Sequence, residues 1–245
     1  MDFIINAFYA ILYEPLFNAL VVLYEYIPGK DFGIAVIVLT LIIRFLLYPL
    51  MMKSIKSQKV MAELQPKLKE IQDKYKDDKE KQTREMMELY KREKFNPFGG
   101  CLPLLVQLPI LIALYRVFWK GLADGAMVHL YSFIPNPGVI DPMFLGIINL
   151  SQPNWILAII AGVAQFFQTK TMSPQTPNNK NSQGQFANMM QKQMLYFFPL
   201  LTTIILLRMP AAIGLYWIVT ALFSVWQQRL VFKKKGEDNK LPSSA

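Results

Sequence analysis

The stretch Phe32–Met52 reads FGIAVIVLTLIIRFLLYPLMM, and its charge pattern decides how the chain is interpreted. Arg44 is the one charged side chain among these twenty-one residues. At about 1.5 Å of rise per residue, a helix of this length crosses a bilayer core of roughly 30 Å. A cation at that depth costs about 2.5 kcal/mol or more, so Arg44 must either reach the headgroups or lie in a hydrated cavity. The sequence therefore predicts a membrane span whose arginine is an anchor or a functional group.

The rest of the chain has the composition of a membrane protein. Of its 245 residues 53% are hydrophobic, against about 45–50% in ordinary soluble domains. The hydrophobic residues are clustered in runs, and the predicted spans are 32–52, 102–119, 153–169, 193–208 and 211–232. The expected fold is an all-α polytopic membrane protein with five transmembrane helices.

Residues 1–31 precede the first span and are predicted to form an amphipathic helix lying in the membrane interface. Asn6, Glu14 and Asn18 are separated by multiples of four, which places them on one face of a helix. Pro15 is expected to interrupt that helix. Apolar residues occupy most other positions, as in helices that lie on a membrane surface. A poor transmembrane helix is the alternative that these residues allow.

Residues 53–95 are highly charged and are predicted to form an antiparallel helical hairpin. Lys53–Lys94 contains thirteen basic and nine acidic residues. Apolar residues recur every three or four positions on both sides of a turn at Asp77-Asp78. They are Met61, Leu64, Leu68, Ile71 and Tyr75 in the first arm and Met86, Met87, Leu89 and Tyr90 in the second. The pattern is that of a solvated hairpin, and what the hairpin contacts is a separate question.

The basic residues lie in alternate connecting segments and predict an orientation. The hairpin, the segment 170–192 and the tail 233–245 carry most of the Lys and Arg, whereas the segment 120–152 carries little. By the positive-inside rule the first three are cytoplasmic, and 120–152 and the N-terminus are outside. The net charge of +9 is therefore explained by membrane topology, and no DNA partner is predicted.

Polar side chains inside the spans are the candidates for a site. Thr40 lies one helical turn before Arg44 and shares its face. The other spans contribute Gln107, Gln165, Tyr216 and Trp217. Such residues more often join helices by hydrogen bonds than carry a function. From the residues alone, the hydrated cavity and the headgroup anchor remain equally open for Arg44.

The sequence contains no recognisable reaction centre. It has no nucleotide-binding glycine-rich loop and no H-E-x-x-H motif. Its one histidine, His129, and one cysteine, Cys101, provide neither a catalytic pair nor a metal cluster. The spans contain no carboxylate pair of the kind used by proton-coupled pumps. The prediction is a protein that is not an enzyme, with no catalytic residue, no metal and no cofactor.

One block, Asn96–Ile110 (NPFGGCLPLLVQLPI), closely resembles the YidC membrane-protein insertase family. Shorter matches are Leu64–Lys67 (LQPK), Glu85–Tyr90 (EMMELY), Ile112–Tyr115 (IALY) and Gly214–Trp217 (GLYW). The resemblance extends from about Ile34 to Phe232 and is to the compact, five-span bacterial type. It implies a multi-pass protein of the bacterial cell (inner or plasma) membrane, with its N-terminus outside and its C-terminus in the cytoplasm.

The resemblance also implies a hydrophilic groove that is open to the cytoplasm and to lipid. Arg44 corresponds to the family's groove arginine and Thr40 to its neighbouring threonine. Gln165 and Trp217 match groove-lining positions, and Tyr216-Trp217 stands where some members have two tyrosines. The predicted substrate groove consists of Arg44, Thr40, Gln107, Gln165, Tyr216 and Trp217.

The function implied by the resemblance is membrane protein insertion without nucleotide hydrolysis. Polar, often acidic, tails of nascent membrane proteins would enter the groove, and their apolar segments would pass into the lipid bilayer. The hairpin is predicted to dock substrate or delivery machinery through Leu68, Lys69 and Lys76. The Sec translocon, the signal recognition particle pathway and the ribosome are further candidate partners. The alternatives are a small anion-selective channel or carrier and an assembly scaffold for membrane subunits.

Overall fold

The computed structural model of the chain describes residues 2–96, 99, 102–121, 126–172 and 193–238. These residues are mostly helical, which agrees with the predicted all-α class. Parts of three predicted segments lie outside the described residues: 122–125 of the external segment, 173–192 of the cytoplasmic loop and 239–245 of the tail.

The elements follow one another along the chain with short connections. They are α1 (Asp2–Phe8), a π-helical turn (Tyr9–Tyr13), α2 (Glu14–Tyr26), α3 (Phe32–Leu46), α4 (Tyr48–Lys74), α5 (Lys79–Arg92), α6 (Leu102–Lys120), a 3-10 turn (Ala126–His129), β1 (Met143–Phe144), β2 (Ile148–Asn149), α7 (Trp155–Met172), a second π-helical turn (Gln193–Phe197), α8 (Phe198–Leu206) and α9 (Ala211–Asp238). The chain divides into two compact units. The first comprises Met1–Leu47, Leu104–Gln165 and Pro199–Phe223, and the second comprises Tyr48–Pro103, Phe166–Phe198 and Ser224–Ala245.

The N-terminal helix continues through Pro15, contrary to the prediction that this residue interrupts it. α1, the π-helical turn and α2 follow one another without a gap. Pro15 occupies the first turn of α2, and the backbone N–H of Glu14 bonds to the carbonyl of Tyr9, five residues back. A proline is tolerated at such a position because a first-turn N–H needs no helical partner. Ile5–Tyr26 is the described helix that is long and apolar enough to cross a membrane, and the interfacial position of residues 1–31 stays a prediction.

Asn18, on the predicted polar stripe, faces protein rather than water. Its side chain is 2% exposed. Its amide nitrogen donates to the carbonyl of His129 at 2.9 Å, and its oxygen accepts from the backbone N–H of Tyr131 at 2.7 Å. One carboxylate oxygen of Glu14 lies 3.5 Å from Nδ1 of His129. The stripe therefore attaches the N-terminal helix to the segment that follows α6.

The core of the first unit is formed by faces of several helices. Fully buried residues recur every three or four positions along each helix, as expected for amphipathic packing. They include Phe17, Leu20, Val21 and Tyr24 of α2, Phe32, Val36, Leu39 and Ile43 of α3, Ile110, Leu114, Val117 and Phe118 of α6, and Ala212, Ile213 and Tyr216 of α9. The rings of Phe32 and Phe118 meet edge to face at 6.3 Å between centroids. Arg44 follows the buried face of α3, which places its side chain inside this unit.

The predicted span 32–52 corresponds to α3 and the beginning of α4 rather than to one helix. α3 starts after Asp31, whose carboxylate accepts from the backbone N–H of Ile34 at 2.8 Å. It ends at Leu46 because the ring of Pro49 clashes with the carbonyl four residues earlier, where a continuous helix would need it. The two helices meet the length and hydropathy requirement of a span as a broken pair.

The other predicted spans correspond to α6, α7, α8 and α9 with shifted ends. The predicted span 193–208 contains a π-helical turn as well as α8. The predicted end at residue 232 is too early, since α9 continues to Asp238. Lysine is a good helix former, so the three consecutive lysines after residue 232 change the polarity without ending the helix. Leu105–Trp119 and Gln193–Leu206 are apolar but short, and the count of five spans stays a prediction.

In the second unit, α4 and α5 pack side by side. Leu64, Leu68 and Leu89 are buried between them. Two contacts between the helices fix an antiparallel arrangement. The Gln82 amide donates to the carbonyl of Gln72 at 3.0 Å, and Nζ of Lys67 lies 2.6 Å from the carboxylate of Glu93. Asp78 caps α5 through the N–H of Lys81 at 2.9 Å.

Candidate functional site

Three of the predicted groove residues are connected by hydrogen bonds, together with Thr220. Nη2 of Arg44 donates to Oε1 of Gln107 at 3.0 Å, and Nε of Arg44 donates to the hydroxyl of Thr220 at 3.3 Å. Nε2 of Gln107 donates to the hydroxyl of Tyr216 at 2.5 Å. α3, α6 and α9 thus contribute to one group, which we call the arginine cluster (Arg44, Gln107, Tyr216 and Thr220).

Periodicity explains why these helices bring polar groups to one place. Tyr216 and Thr220 are four residues apart and therefore lie on the same face of α9. Arg44 lies one residue beyond buried Ile43 on α3, and Gln107 lies three residues before buried Ile110 on α6. Each polar side chain therefore continues the stripe with which its helix packs into the core.

The arginine cluster is largely buried and its charge has no acidic partner. Arg44 is 5% exposed, Tyr216 1% and Thr220 8%. Among the residues that the structure describes, no carboxylate oxygen lies within 4.0 Å of the Arg44 guanidinium. Both of its hydrogen-bond partners, Gln107 and Thr220, are neutral. A buried cation held in this way keeps its attraction for an anion, which is stronger there than in water.

Thr40 lies near Arg44 in sequence but does not join the arginine cluster. It is 1% exposed, and its hydroxyl donates to the carbonyl of Val36 at 2.6 Å. A threonine that bonds to the carbonyl four residues back satisfies its own hydroxyl within the helix. The structure thus places Thr40 in packed surroundings, and its role as a groove residue stays a prediction.

Gln165 and Trp217 form a separate pair. The indole N–H of Trp217 donates to Oε1 of Gln165 at 2.9 Å, which joins α9 to α7. Both side chains are half-buried. Trp217 directly follows Tyr216, so the two side chains leave α9 about 100° apart. The predicted groove residues therefore fall into two groups on neighbouring faces of α9.

The three residues predicted for docking lie on α4 in different surroundings. Leu68 is 6% exposed and packs with Leu64 and Leu89. Lys69 is half-buried, whereas Lys76 is exposed with its Nζ 3.7 Å from the carboxylate of Asp73. Leu68 is therefore a packing residue of the α4–α5 pair, and the lysines are the side chains that can reach a partner.

The predicted groove omitted polar residues of α9 that the structure buries. Besides Thr220, these are Gln227 and Gln228, each 1% exposed. Thr171 donates to Oε1 of Gln228, and within the described residues neither Gln227 nor Gln228 has a partner for its Nε2. The signal was available, because polar residues follow Thr220 along α9 at spacings of three and four. No three His, Cys, Asp or Glu side chains in the described ranges lie close enough together to hold a metal ion.

Cysteine labelling is expected to distinguish sealed from accessible positions. In a Cys101→Ser background, Gln165→Cys and Trp217→Cys should react with a water-soluble maleimide, whereas Thr40→Cys should be strongly protected. The reason is that the reactive thiolate forms where water reaches the sulfur. Labelling rates in native membranes are compared with rates in denaturant, with Leu114→Cys as a buried reference and Lys79→Cys as an exposed one. Equal rates at Thr40 and Trp217 would mean that water reaches the face of α3 that the structure seals.

The described residues thus define an all-helical membrane protein that keeps a cation with neutral partners among its apolar helices. Residues 22–238 match the model of the family described as 60Kd inner membrane protein. Because this match covers most of the chain, the chain belongs to that family, whose curated members include proteins named membrane protein insertase YidC. The resemblance seen in the sequence is confirmed.

Three relatives with that name illustrate the extent of the similarity. The protein from Fusobacterium nucleatum is 37% identical over 204 residues, which cover 83% of this chain and 87% of the relative. The protein from Wolinella succinogenes is 35% identical over 232 residues, 95% of this chain and 39% of the relative. The protein from Shewanella amazonensis is 38% identical over 211 residues, 84% and 35% respectively. The chain therefore spans most of the first relative and well under half of the other two.

Proposed function

We propose that this chain is a membrane protein insertase in which the arginine cluster receives polar, often acidic, tails of nascent membrane proteins. The apolar segment that follows each tail then passes into the bilayer, without nucleotide hydrolysis. The observation that carries the proposal is the neutrality of the two groups that hold the Arg44 guanidinium. Membership of a family whose relatives are named insertases supports the same function.

The bonds of the arginine cluster suit exchange with an incoming carboxylate. Gln107 and Thr220 orient the guanidinium while the site is empty, and neither carries a charge that would compete with a substrate. A carboxylate bonded to arginine forms charge-assisted hydrogen bonds, which are about twice as strong as neutral ones. Such bonds replace part of the hydration that an acidic tail loses on leaving water. The cluster thereby lowers the cost of moving the tail.

The driving force of the proposed step comes from the substrate's apolar segment. Burial of apolar surface is worth about 25 cal/mol per Å², and one Leu, Ile or Phe side chain contributes about 1.5–3 kcal/mol. A span of roughly twenty residues therefore supplies far more free energy than the transfer of a short polar tail costs. The protein needs to lower a barrier, for which a fixed polar site is sufficient.

The proposal includes five spans around a hydrophilic groove that opens to the cytoplasm, with the N-terminus outside. The Trp217–Gln165 pair supplies a second polar group for the groove wall. The α4–α5 hairpin lies in the cytoplasm in this scheme and meets substrates through Lys69 and Lys76. The Sec translocon, the signal recognition particle pathway and the ribosome are the partners to test for this surface. The distribution of Lys and Arg along the chain supports the orientation.

Reconstitution of the purified protein in liposomes tests the function. A single-span substrate with a short acidic tail is expected to insert, with its tail protected from added protease, and no nucleotide should be required. An anion-selective channel would instead produce ion flux across the same liposomes, and an assembly scaffold would produce neither result. Insertion no greater than in protein-free liposomes would contradict the proposal.

A further inference from the structure

A leucine occupies an unfavourable backbone position at the tip of the β1–β2 hairpin. The turn is closed by a bond from the N–H of Ile147 to the carbonyl of Phe144 at 3.0 Å. Its two central residues, Leu145 and Gly146, have φ values of 51° and 67°. Turns with two positive φ angles usually carry Asn, Asp or Gly, because other side chains are strained there. The turn therefore offers no reason for a leucine at its first central position.

The side chains at this tip are apolar and exposed. Leu145 is 60% exposed and Ile147 is 79% exposed, with only Gly146 between them. The same segment exposes Phe133 and Val139 by 80% and 92%. Apolar surface concentrated at a protruding tip is typical of a contact with a membrane or a partner.

Two contacts fix the tip to the first turn of α3. The carboxylate of Asp31 bonds through one oxygen to the N–H of Ile34, as the cap of α3, and through the other to the N–H of Leu145 at 2.5 Å. The ring of Phe144 lies against Gly33, where an added Cβ would come within 2.1 Å of the ring. The tip therefore lies at the level where the apolar run of α3 begins.

We propose that Leu145 and Ile147 insert into the lipid surface at the N-terminal end of α3. This rests on the proposed function in one respect, that α3 lies in the membrane. The first turn of a spanning helix lies at the membrane boundary, and the tip is attached to that turn by Asp31 and Gly33. Lipid is the occupant because two side chains offer far less than the roughly 800 Å² that each side of a stable protein interface buries. Apolar side chains at a membrane surface, in contrast, bury individually between headgroups.

Site-specific fluorescence quenching tests the proposal. Ile147→Cys in a Cys101→Ser background carries an environment-sensitive fluorophore, in liposomes with and without lipids bearing a nitroxide near the headgroup. The label at Ile147 is expected to be quenched several-fold more by the nitroxide lipids than a label at exposed Lys79→Cys, and to be shielded from iodide in the water. Quenching by iodide without quenching by lipid overturns the proposal.

Two further variants keep the outcome unambiguous. Leu145→Asn suits the positive φ angle and so preserves the turn, but it removes the apolar side chain. With this change, lipid quenching of the Ile147 label should fall; unchanged quenching means that Leu145 does not insert. Ile42→Cys, on the exposed face of α3, reports on α3 itself through lipids with a mid-chain nitroxide. Quenching at Ile42 without quenching at Ile147 overturns the anchor alone, whereas no quenching at either overturns the membrane position of α3 as well.

Discussion

Insertion of a substrate with an acidic tail is expected to fall by about ten- to hundredfold in Arg44→Ala. The estimate follows from the worth of a hydrogen bond to a charged group, about 1.5–3 kcal/mol, with tenfold in rate for about 1.4 kcal/mol. The fold should survive, since Gln107 keeps its bond to Tyr216 and no buried charge loses its partner. The measurement is the rate of tail protection in liposomes, with thermal unfolding of the purified protein beside it.

Matched controls separate the charge of Arg44 from its shape. Arg208→Ala removes an exposed arginine and should leave the rate unchanged. Arg44→Lys keeps the cation but cannot bond to Gln107 and Thr220 as the guanidinium does, so an intermediate rate is expected. A substrate whose acidic residues are replaced by Asn and Gln should be nearly insensitive to Arg44→Ala. Equal losses for acidic and neutral tails would show that Arg44 acts through packing instead.

Leu68→Asp is expected to separate the α4–α5 hairpin and to reduce insertion severely. Leu68 is 6% exposed in a seam whose other fully buried members are Leu64 and Leu89. Truncation of a core leucine costs about 2–5 kcal/mol, and a carboxylate without a partner in the same place costs more. The separated helices should become sensitive to protease, while the membrane-embedded helices still assemble.

The control for Leu68→Asp is Met87→Asp, which makes a similar change at a side chain that is 50% exposed. This variant should retain both protease resistance and insertion. If Leu68→Asp instead prevents the protein from accumulating in the membrane, the hairpin is needed for assembly and its proposed docking role is wrong. Insertion at the normal rate by a protease-sensitive hairpin would contradict the docking role as well.

The sequence predicted a buried arginine without an acidic partner, because charge counts along a span need no knowledge of packing. It could not predict which neutral groups hold Arg44, since Gln107 and Thr220 come from helices far apart in sequence. Thr40 shows the same limit, because helical spacing identified its face but not that its hydroxyl bonds to Val36. Tertiary contacts decide such matters, and a single sequence does not specify them.

Two prolines show why element boundaries were harder to predict than elements. Pro15 and Pro49 both stand in the first turn of a helix. The first is preceded by a π-helical turn and the chain continues as helix, whereas at the second one helix ends and another begins. The residue type alone predicted an interruption at Pro15 and none at Pro49. The difference depends on the hydrogen-bond pattern of the preceding turn, which composition and periodicity do not reveal.

Tyr216 and Trp217 are consecutive residues, and this makes α9 a mechanical link between two polar contacts. A helix is stiff to twisting, so a roll that carries the Trp217 indole away from Gln165 also turns the Tyr216 hydroxyl relative to Gln107. Through Gln107 that rotation reaches the guanidinium of Arg44. An event at one wall of the bundle is thereby transmitted to the other as torque along a single helix axis.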